Sequence, residues 1–280
     1  MSKSRKKLSN KTIGIIGVGT IGGTLVETLI RNEVVHPDQL LGSTSKKESA
    51  RKVSEEYNIK AFPDNKKVVI NSDIIILSVE PQIIHQVLQE TSNAFHQNQL
   101  LISVAAGITT KYIETKINGE IPVVRAMPNT AITVNSGATV IVAGTYADDS
   151  DIALAKEIFK PVGIIEEVHN ENLMDPITGF SGSGPAYGYL IIEALIEAGV
   201  RVGLPRDQAT KLAAQSLLGA AKMVLATKEH PAKLKDMVTT PAGVTVDGVM
   251  KLEEGGLRVA FFKAIEEASN KSRQLKRDEE

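Results

Sequence analysis

Two stretches of small residues offer backbone N–H groups and hydroxyls that would suit a small anionic molecule. The first reads Gly-Phe-Ser-Gly-Ser-Gly-Pro-Ala-Tyr from Gly179 to Tyr187, and the second reads Thr-Thr-Pro-Ala-Gly-Val-Thr from Thr239 to Thr245. Each precedes an apolar pattern that predicts a helix, so each is predicted to be a turn whose free N–H groups lie at a helix start. Together the two turns would hold one small carboxylate.

A third motif, Gly-Val-Gly-Thr-Ile-Gly, follows a short apolar run near the N-terminus and opens an amphipathic pattern. In that context the first glycine makes a tight turn, the second admits a pyrophosphate to the backbone, and the third lets helix and strand pack closely. The motif therefore predicts a dinucleotide site. The predicted cofactor contacts in this loop are Gly17, Val18, Gly19, Thr20, Ile21 and Gly22.

Residues 41–47, Leu-Gly-Ser-Thr-Ser-Lys-Lys, stand about twenty residues after this loop, where NAD-binding proteins carry an acidic residue on the ribose. No carboxylate is present there. The hydroxyls of Ser43, Thr44 and Ser45, with Lys46 or Lys47 nearby, suit a 2′-phosphate, which favours NADP(H). NAD(H) stays possible, because the same residues would also form a helix cap and a solvated face with either cofactor.

Other small or polar residues follow presumed strands at the end where α/β sheets bind their ligands, in residues 77–82 and 103–107. Arg125 and Asn129 stand at another such strand exit. The guanidinium of Arg125 would either position a carboxylate or hold loops together, and the sequence supports both roles equally.

Several chemistries find no support in the sequence. Ser181 and Ser183 lie in a glycine-rich segment, but neither is framed as Gly-x-Ser-x-Gly, which argues against a serine hydrolase. The five histidines show no paired helical spacing, and cysteine is absent, so we predict no metal site and no disulfide.

The charge is nearly balanced, with 32 Lys and Arg against 33 Asp and Glu. A partner is therefore expected to be a small molecule rather than nucleic acid or a membrane. The absence of cysteine fits a reducing compartment, and the cytoplasm is the expected location. We interpret residues 1–10 as a solvated basic tail and residues 271–280 as a mixed-charge helix end or frayed tail.

Apolar periodicity predicts an α/β fold with two domains, residues 1–168 and residues 169–280, in a chain of 280 residues. The first is predicted to hold a parallel sheet covered by helices, with residues 74–77 in a central strand because four consecutive apolar residues suit burial on both faces. The predicted strands are 12–16, 39–42, 73–79, 100–104, 122–125 and 138–142, and the predicted helices of the second domain are 185–202, 206–226, 231–238, 243–254 and 257–271. In residues 190–198 the apolar side chains occupy more than one stripe, so cover from a second subunit is expected.

Taken together, these segments resemble the Δ1-pyrroline-5-carboxylate reductase family over residues 13–268. The most specific part is the run from Thr178 to Tyr187, followed in family order by the turn from Thr240 to Thr245 and by Leu-Glu-Glu-Gly-Gly at residues 252–256. The resemblance implies an N-terminal Rossmann-type domain, an all-helical dimerisation domain and a substrate site between them. It also implies reduction of the cyclic imine to L-proline by hydride transfer from NADPH or NADH, in a homodimer or a higher assembly such as a decamer.

The resemblance also assigns residues to the two ligands. Beyond the glycine loop, the implied cofactor contacts are Ser43, Thr44, Asn65, Val79, Glu80, Pro81, Val104, Ala105 and Ala106; the implied substrate contacts are Glu171, Thr240, Gly243, Val244 and Thr245. The hydroxyl of Thr245 is the implied catalytic group and faces the ring nitrogen. An imine can take its activating proton from water before it binds, so an orienting hydroxyl suffices, although a threonine in a helix turn also commonly caps.

Four residues depart from the family pattern, namely Glu80, Ala131, Ala242 and Val244. These residues are compatible with two alternative functions. One is a non-catalytic NADP(H)-binding regulatory paralogue, and the other is a reductase of a related cyclic imine carboxylate. A β-hydroxyacid dehydrogenase of similar build would need a lysine after the interdomain turn, and residues 161–210 contain none.

Overall fold

The computed structural model describes residues 8–241 and 243–277, and its N-terminal part is built on an eight-stranded sheet. The strands are β1 (Ile13–Ile16), β2 (Leu40–Ser43), β3 (Lys60–Phe62), β4 (Ile74–Leu77), β5 (Leu100–Ser103), β6 (Val123–Pro128), β7 (Gly137–Ala143) and β8 (Gly163–Glu167). Their order in the sheet is β3-β2-β1-β4-β5-β6-β7-β8. All neighbours are parallel except β6 and β7.

The prediction of a central strand at residues 74–77 is confirmed. All four side chains of β4 are buried, and the strand pairs with β1 on one side and β5 on the other. Because successive side chains point to opposite faces, Ile74 and Ile76 join one core whereas Ile75 and Leu77 join a second core.

The strands predicted from the sequence do not include β3 or β8. The prediction of a parallel sheet is wrong for β7, which runs antiparallel to β6. β3 has only three residues, and β8 alternates half-buried with exposed side chains and carries Glu166 and Glu167. Neither offers a long apolar run, because both are edge strands with one side open to solvent.

Helices cover both faces of this sheet. The first unit contains α1 (Thr20–Arg31), α2 (Lys47–Tyr57), α3 (Asn65–Ile70), α4 (Pro81–Thr91), α5 (Thr110–Lys116), α6 (Asp149–Phe159) and α7 (Met174–Ile177). Side chains of α1, α2 and α6 enter the core that holds Ile74, whereas side chains of α3, α4 and α5 enter the core that holds Ile75. This is the doubly wound arrangement expected of an α/β fold.

The described part of the chain divides into two compact units, one ending at Gly182 and resuming at Ala268, the other formed by Ser183–Glu267. The remaining helices are α8 (Gly184–Arg201), α9 (Arg206–Thr227), α10 (Pro231–Val238), α11 (Val244–Glu254) and α12 (Leu257–Arg277). Among the described residues of the second unit, only Ala209 and Ala213 are buried. The boundary predicted at 168/169 follows the end of β8 and, as a statement about domains, stays a prediction.

The interpretation of the termini needs one correction. Residues 1–7 and 278–280 lie outside the described residues, but Leu8 is fully buried in a core, so the expected solvated tail does not reach residue 10. The side-chain amide of Gln39 donates to the carbonyls of Leu8 and Lys11 and fixes this segment. At the other end α12 extends beyond the predicted residue 271, and the buried Ser272 donates a hydrogen bond to Asp175 at 2.9 Å.

Within the described ranges, no helix is long and apolar enough to cross a membrane.

Candidate functional site

The glycine loop connects β1 to α1, as predicted, and its three glycines have different surroundings. Gly17 has a φ of +90°, and a Cβ there would lie 2.5 Å from Cγ1 of Val79. A Cβ on Gly22 would lie 2.5 Å from the carbonyl oxygen of Gly17. A Cβ on Gly19 would meet nothing within 4 Å. The first and third glycines are therefore required by the fold, whereas the second leaves open space above the backbone.

This open space lies at the start of α1. The N–H of Gly19 donates to the Gly17 carbonyl at 2.8 Å, and Thr20 and Ile21 form the first turn, where an α-helix has no carbonyl to offer its N–H groups. These donors, together with the positive end of the helix dipole, suit a pyrophosphate. The loop can therefore hold the phosphates of a dinucleotide.

Replacing Gly19 with alanine is expected to weaken NADPH binding about 10-fold, because the methyl group would occupy the space through which a pyrophosphate reaches the backbone. The midpoint of thermal unfolding of the ligand-free protein should stay unchanged, since a Cβ at this position touches nothing. Fluorescence titration with NADPH and thermal unfolding measure the two quantities. The matched variant Gly22→Ala should lower the midpoint, and equal losses of stability in both variants would contradict the assignment.

The end of β2 is bound to this loop through Ser43. The carbonyl of Ser43 accepts the N–H groups of Gly17 and Val18 at 3.1 and 3.0 Å. Its hydroxyl is fully buried and donates to Oδ1 of Asn65 at 2.7 Å, and Asn65 in turn donates to Glu90 at 3.1 Å. The predicted cofactor residues Ser43 and Asn65 are therefore brought together, but the Ser43 hydroxyl donates its hydrogen bond to Asn65 and not to a ligand.

The residues after Ser43 face solvent at the start of α2. Ser45, Lys46 and Lys47 are exposed, and Lys46 caps the helix without a side-chain hydrogen bond. The hydroxyl of Thr44 donates to the Lys46 carbonyl at 3.0 Å. Two ammonium groups beside a helix start form an environment that favours an anion.

The ends of β4 and β5 adjoin the glycine loop at the same edge of the sheet. The hydroxyl of Ser78 donates to the Gly17 carbonyl at 2.8 Å, and the N–H of Val104 donates to the Leu77 carbonyl at 3.0 Å. Glu80 stands before Pro81 at the start of α4, is exposed, and makes no capping hydrogen bond. The residues predicted to bind the cofactor in these two segments therefore share one edge with those of β1 and β2. They are Val79, Glu80, Pro81, Val104, Ala105 and Ala106.

Arg125 and Glu171 form an ion pair that the sequence did not foresee. Nη1 of Arg125 donates to Oε1 of Glu171 at 3.1 Å, and the Arg125 side chain is 1% exposed. Glu171 also accepts two hydrogen bonds from Thr110. Of the two roles left open for Arg125, these contacts support the one that ties segments together. Substrate contact by Glu171 stays a prediction.

Asn129 ties the end of β6 to the glycine-rich segment. Its amide nitrogen donates to the Ser181 carbonyl at 3.1 Å, and its Oδ1 accepts the N–H groups of Ala131 and Ala138. The departure Ala131 lies within the short 3₁₀ helix Thr130–Val134 that Asn129 caps.

The expected turn at residues 179–187 is wrong. Residues Thr178–Gly182 form a π-helical segment that follows α7 directly, and Ser183 keeps helical dihedral angles before α8 begins at Gly184. Residues 178–182 are therefore helical, and the predicted open turn is not present before α8. Gly179 admits α12, since a Cβ there would lie 2.8 Å from the backbone nitrogen of Ser269. Single π-helical turns inside helices occur frequently at functional sites.

The second predicted turn does open a helix. α11 begins at Val244, within one residue of the prediction, and Gly243 is its N-cap. The N–H of Gly243 donates to the Thr240 carbonyl at 2.9 Å, which closes the turn. Val244 is 90% exposed and Thr245 is half-buried in the first helical turn. Ala242 lies outside the described residues.

Comparison with known families matches both parts of the chain. Residues 171–275 match the family described as pyrroline-5-carboxylate reductase dimerisation. Residues 12–107 match the family described as NADP oxidoreductase, coenzyme F420-dependent.

Whole-length relatives and solved structures are similar to the chain. A pyrroline-5-carboxylate reductase of Methanosarcina acetivorans is 41% identical over 96% of this chain and 99% of its own length, and that of Arabidopsis thaliana is 38% identical over 94% and 95%. A solved reductase from Coxiella burnetii has a TM-score of 0.90 at 35% identity, over 95% of this chain and 99% of its own. The Plasmodium falciparum structure with NADP bound has a TM-score of 0.85 at 29% identity, over 96% and 99%.

Proposed function

The chain belongs to the pyrroline-5-carboxylate reductase family, and we propose that it reduces Δ1-pyrroline-5-carboxylate to L-proline with NADPH or NADH, the last step of proline synthesis. The observation that carries this proposal is the common sheet edge of β1, β2, β4 and β5, which brings together residues that we predict to bind the cofactor. Rossmann-type oxidoreductases bind their nicotinamide cofactor at such an edge.

The donor set of this edge fits a nicotinamide dinucleotide. Backbone N–H groups at the start of α1 would hold the pyrophosphate, and the open space at Gly19 leaves room for it. The cofactor supplies the hydride. We propose NADPH as the preferred cofactor, because Thr44, Ser45, Lys46 and Lys47 would hold the 2′-phosphate in place of the buried Ser43 hydroxyl. The exposed carboxylate of Glu80 opposes this preference only if it approaches the phosphates.

The substrate residues are proposed from the resemblance and from the turn at α11. Thr240, Gly243, Val244 and Thr245 would bind the substrate, with backbone N–H groups of the helix start on its carboxylate. The hydroxyl of Thr245 would orient the ring nitrogen of an imine that already carries its proton. The fifth proposed residue is Glu171.

The assembly is proposed to be a homodimer formed through the second unit. The match to the dimerisation family and the near absence of buried side chains among the described residues of Ser183–Glu267 both support it. A decamer would combine five such dimers through further surfaces. We propose the cytoplasm as the location, on the ground that the sequence contains no cysteine.

Oxidation of NADPH and of NADH in the presence of pyrroline-5-carboxylate tests the activity, with proline identified as the product. We expect turnover with both cofactors and a higher kcat/KM for NADPH. No turnover with either cofactor would overturn the proposal and favour a non-catalytic NADP(H)-binding protein. Faster reduction of the six-membered piperideine carboxylate would move the assignment to a related cyclic imine.

A further inference from the structure

We propose that Glu90 is a positioning residue for the cofactor site, which holds the side-chain amide of Asn65 so that the amide offers a hydrogen-bond donor to the 2′-phosphate of NADPH. This inference deepens the proposed function and rests on it. Glu90 lies in the last turn of α4, outside the segments predicted to bind the cofactor. Its carboxylate reaches the site through two hydrogen bonds in series.

These two hydrogen bonds join side chains of β2, α3 and α4. The fully buried Ser43 hydroxyl donates to Oδ1 of Asn65 at 2.7 Å, and Nδ2 of Asn65 donates to Oε2 of Glu90 at 3.1 Å. In the part of the chain that the structure describes, Glu90 is the only acceptor for Nδ2 of Asn65. An amide nitrogen carries two N–H groups, so one of them is left for a ligand.

Glu90 decides which way the Asn65 amide faces. An ionised carboxylate only accepts hydrogen bonds, whereas a hydroxyl can donate or accept. Ser43 alone would therefore accommodate either orientation of the amide. Glu90 permits only the orientation with the amide oxygen toward Ser43, because the reverse would place two acceptors against each other. The Ser43 hydroxyl is thereby fixed as a donor to Asn65, and the donor left for a phosphate is the second N–H of Asn65.

Asn65 lies beside the residues proposed to hold the 2′-phosphate. The N–H of Thr44 donates to the carbonyl of Phe62 at 3.1 Å, which binds the segment after β2 to the segment before α3. The carbonyl of Ser43 accepts two N–H groups of the glycine loop. The Asn65 amide is therefore fixed to both parts of the proposed cofactor site. A donor in this place would contact the cofactor where NADPH and NADH differ.

The charge of Glu90 and its role as an acceptor have opposite effects on a phosphate. A carboxylate near a phosphate weakens binding by itself, whereas an oriented N–H donor strengthens it. Glutamine separates the two contributions, since its side-chain oxygen still accepts from Asn65 and carries no charge. Alanine removes both the acceptor and the charge. Glu90 is exposed, so neither substitution removes a buried side chain.

The experiment measures the Kd for NADPH and for NADH, without substrate, in Glu90→Ala, Glu90→Gln, Asn65→Ala and the double alanine variant. We expect Glu90→Ala to raise the Kd for NADPH about 5-fold to 10-fold, through the loss of one oriented donor to a charged group, and to leave the Kd for NADH unchanged. Asn65→Ala should raise the Kd for NADPH at least as much. Glu90→Gln should keep it at or below the parent value.

The double variant tests whether Glu90 acts through Asn65. In the Asn65→Ala background, Glu90→Ala should raise the Kd for NADPH no further, because the amide that it positions is gone. The matched control is Gln89→Ala, which changes the neighbouring exposed polar residue of α4 and should leave both Kd values at those of the parent. The unfolding midpoint of the ligand-free protein should stay unchanged in Glu90→Ala and Gln89→Ala.

Three results would overturn the proposal. A Kd for NADPH that falls or stays constant in Glu90→Ala would make Glu90 a repelling charge or a residue without a role in binding. An equal rise for NADH would separate the amide from the 2′-phosphate, and a further rise in the double variant would show that Glu90 acts by another route. If the parent protein binds NADPH but does not reduce the imine, the Kd values still test Glu90 while the proposed function fails.

Discussion

A glutamate in place of Leu190 is expected to weaken the proposed dimer by about 100-fold or more and to reduce activity to background. Leu190 lies on α8 and is 66% exposed in the single chain. A carboxylate buried there on association, without a partner, costs several kcal/mol, and a symmetric dimer bears that cost twice. The same side chain in a true monomer would face water at no cost.

The reason to expect so large an effect is the composition of the second unit's surface. α8 has no buried residue, and Leu212 on α9 and Phe262 on α12 are 57% and 74% exposed. Soluble monomers rarely leave so many large apolar side chains open to water. Two buried alanines among the described residues of this unit do not make a core, so we expect association to supply the missing core.

Sedimentation at several protein concentrations measures the dimer, circular dichroism reports the helices, and NADPH oxidation reports the activity. The control variant Gln89→Glu adds the same charge at an exposed polar position of α4 in the first unit and should stay dimeric and active. A Leu190→Glu protein that stays fully dimeric would mean that the apolar surface of α8 is not part of the contact.

The sheet and the glycine loop could be predicted because their signals are local. Four consecutive apolar residues fix β4 as a strand buried on both faces, and a glycine loop between a strand and a helix has few structural alternatives. The start of α11 could also be predicted, because a turn of small residues precedes an amphipathic run.

The glycine-rich segment was misread for a physical reason. Glycine and proline are the usual signals of turns, yet here they lie in helical segments that contacts with residues elsewhere in the sequence stabilise. Asn129 binds the Ser181 carbonyl, and α12 packs against Gly179. These contacts join residues far apart in sequence and override the local preference.

The cluster of Arg125, Glu171 and Thr110 could not be predicted either, because its contacts also join residues far apart in sequence. Glu171 lies 46 positions from Arg125 and 61 from Thr110, and none of the three stands in a motif that indicates the other two. The resemblance assigned an acid at position 171 to the substrate but gave no indication of its contacts with Arg125 and Thr110.

Replacing Thr245 with valine is expected to lower kcat about 10-fold to 100-fold. Valine keeps the branched shape and removes the hydroxyl, so the change would delete the proposed hydrogen bond to a charged imine, worth about 1.5–3 kcal/mol. The Kd for NADPH should stay unchanged, because Thr245 is not in the cofactor set. Thr245→Ser keeps the hydroxyl and should retain most of the parent kcat. Steady-state kinetics and NADPH titration measure these quantities.

The alternative role for Thr245 is a helix cap, and the two roles predict opposite patterns. Loss of a cap costs about 1 kcal/mol of stability and leaves kcat intact, whereas loss of an orienting hydroxyl lowers kcat and leaves unfolding unchanged. The N-cap of α11 is Gly243, so Thr245 lies in the first turn rather than at the capping position. Its hydroxyl is therefore not required to start the helix. A stable variant with low kcat would identify an orienting group, and a destabilised variant with normal kcat would assign Thr245 to the fold.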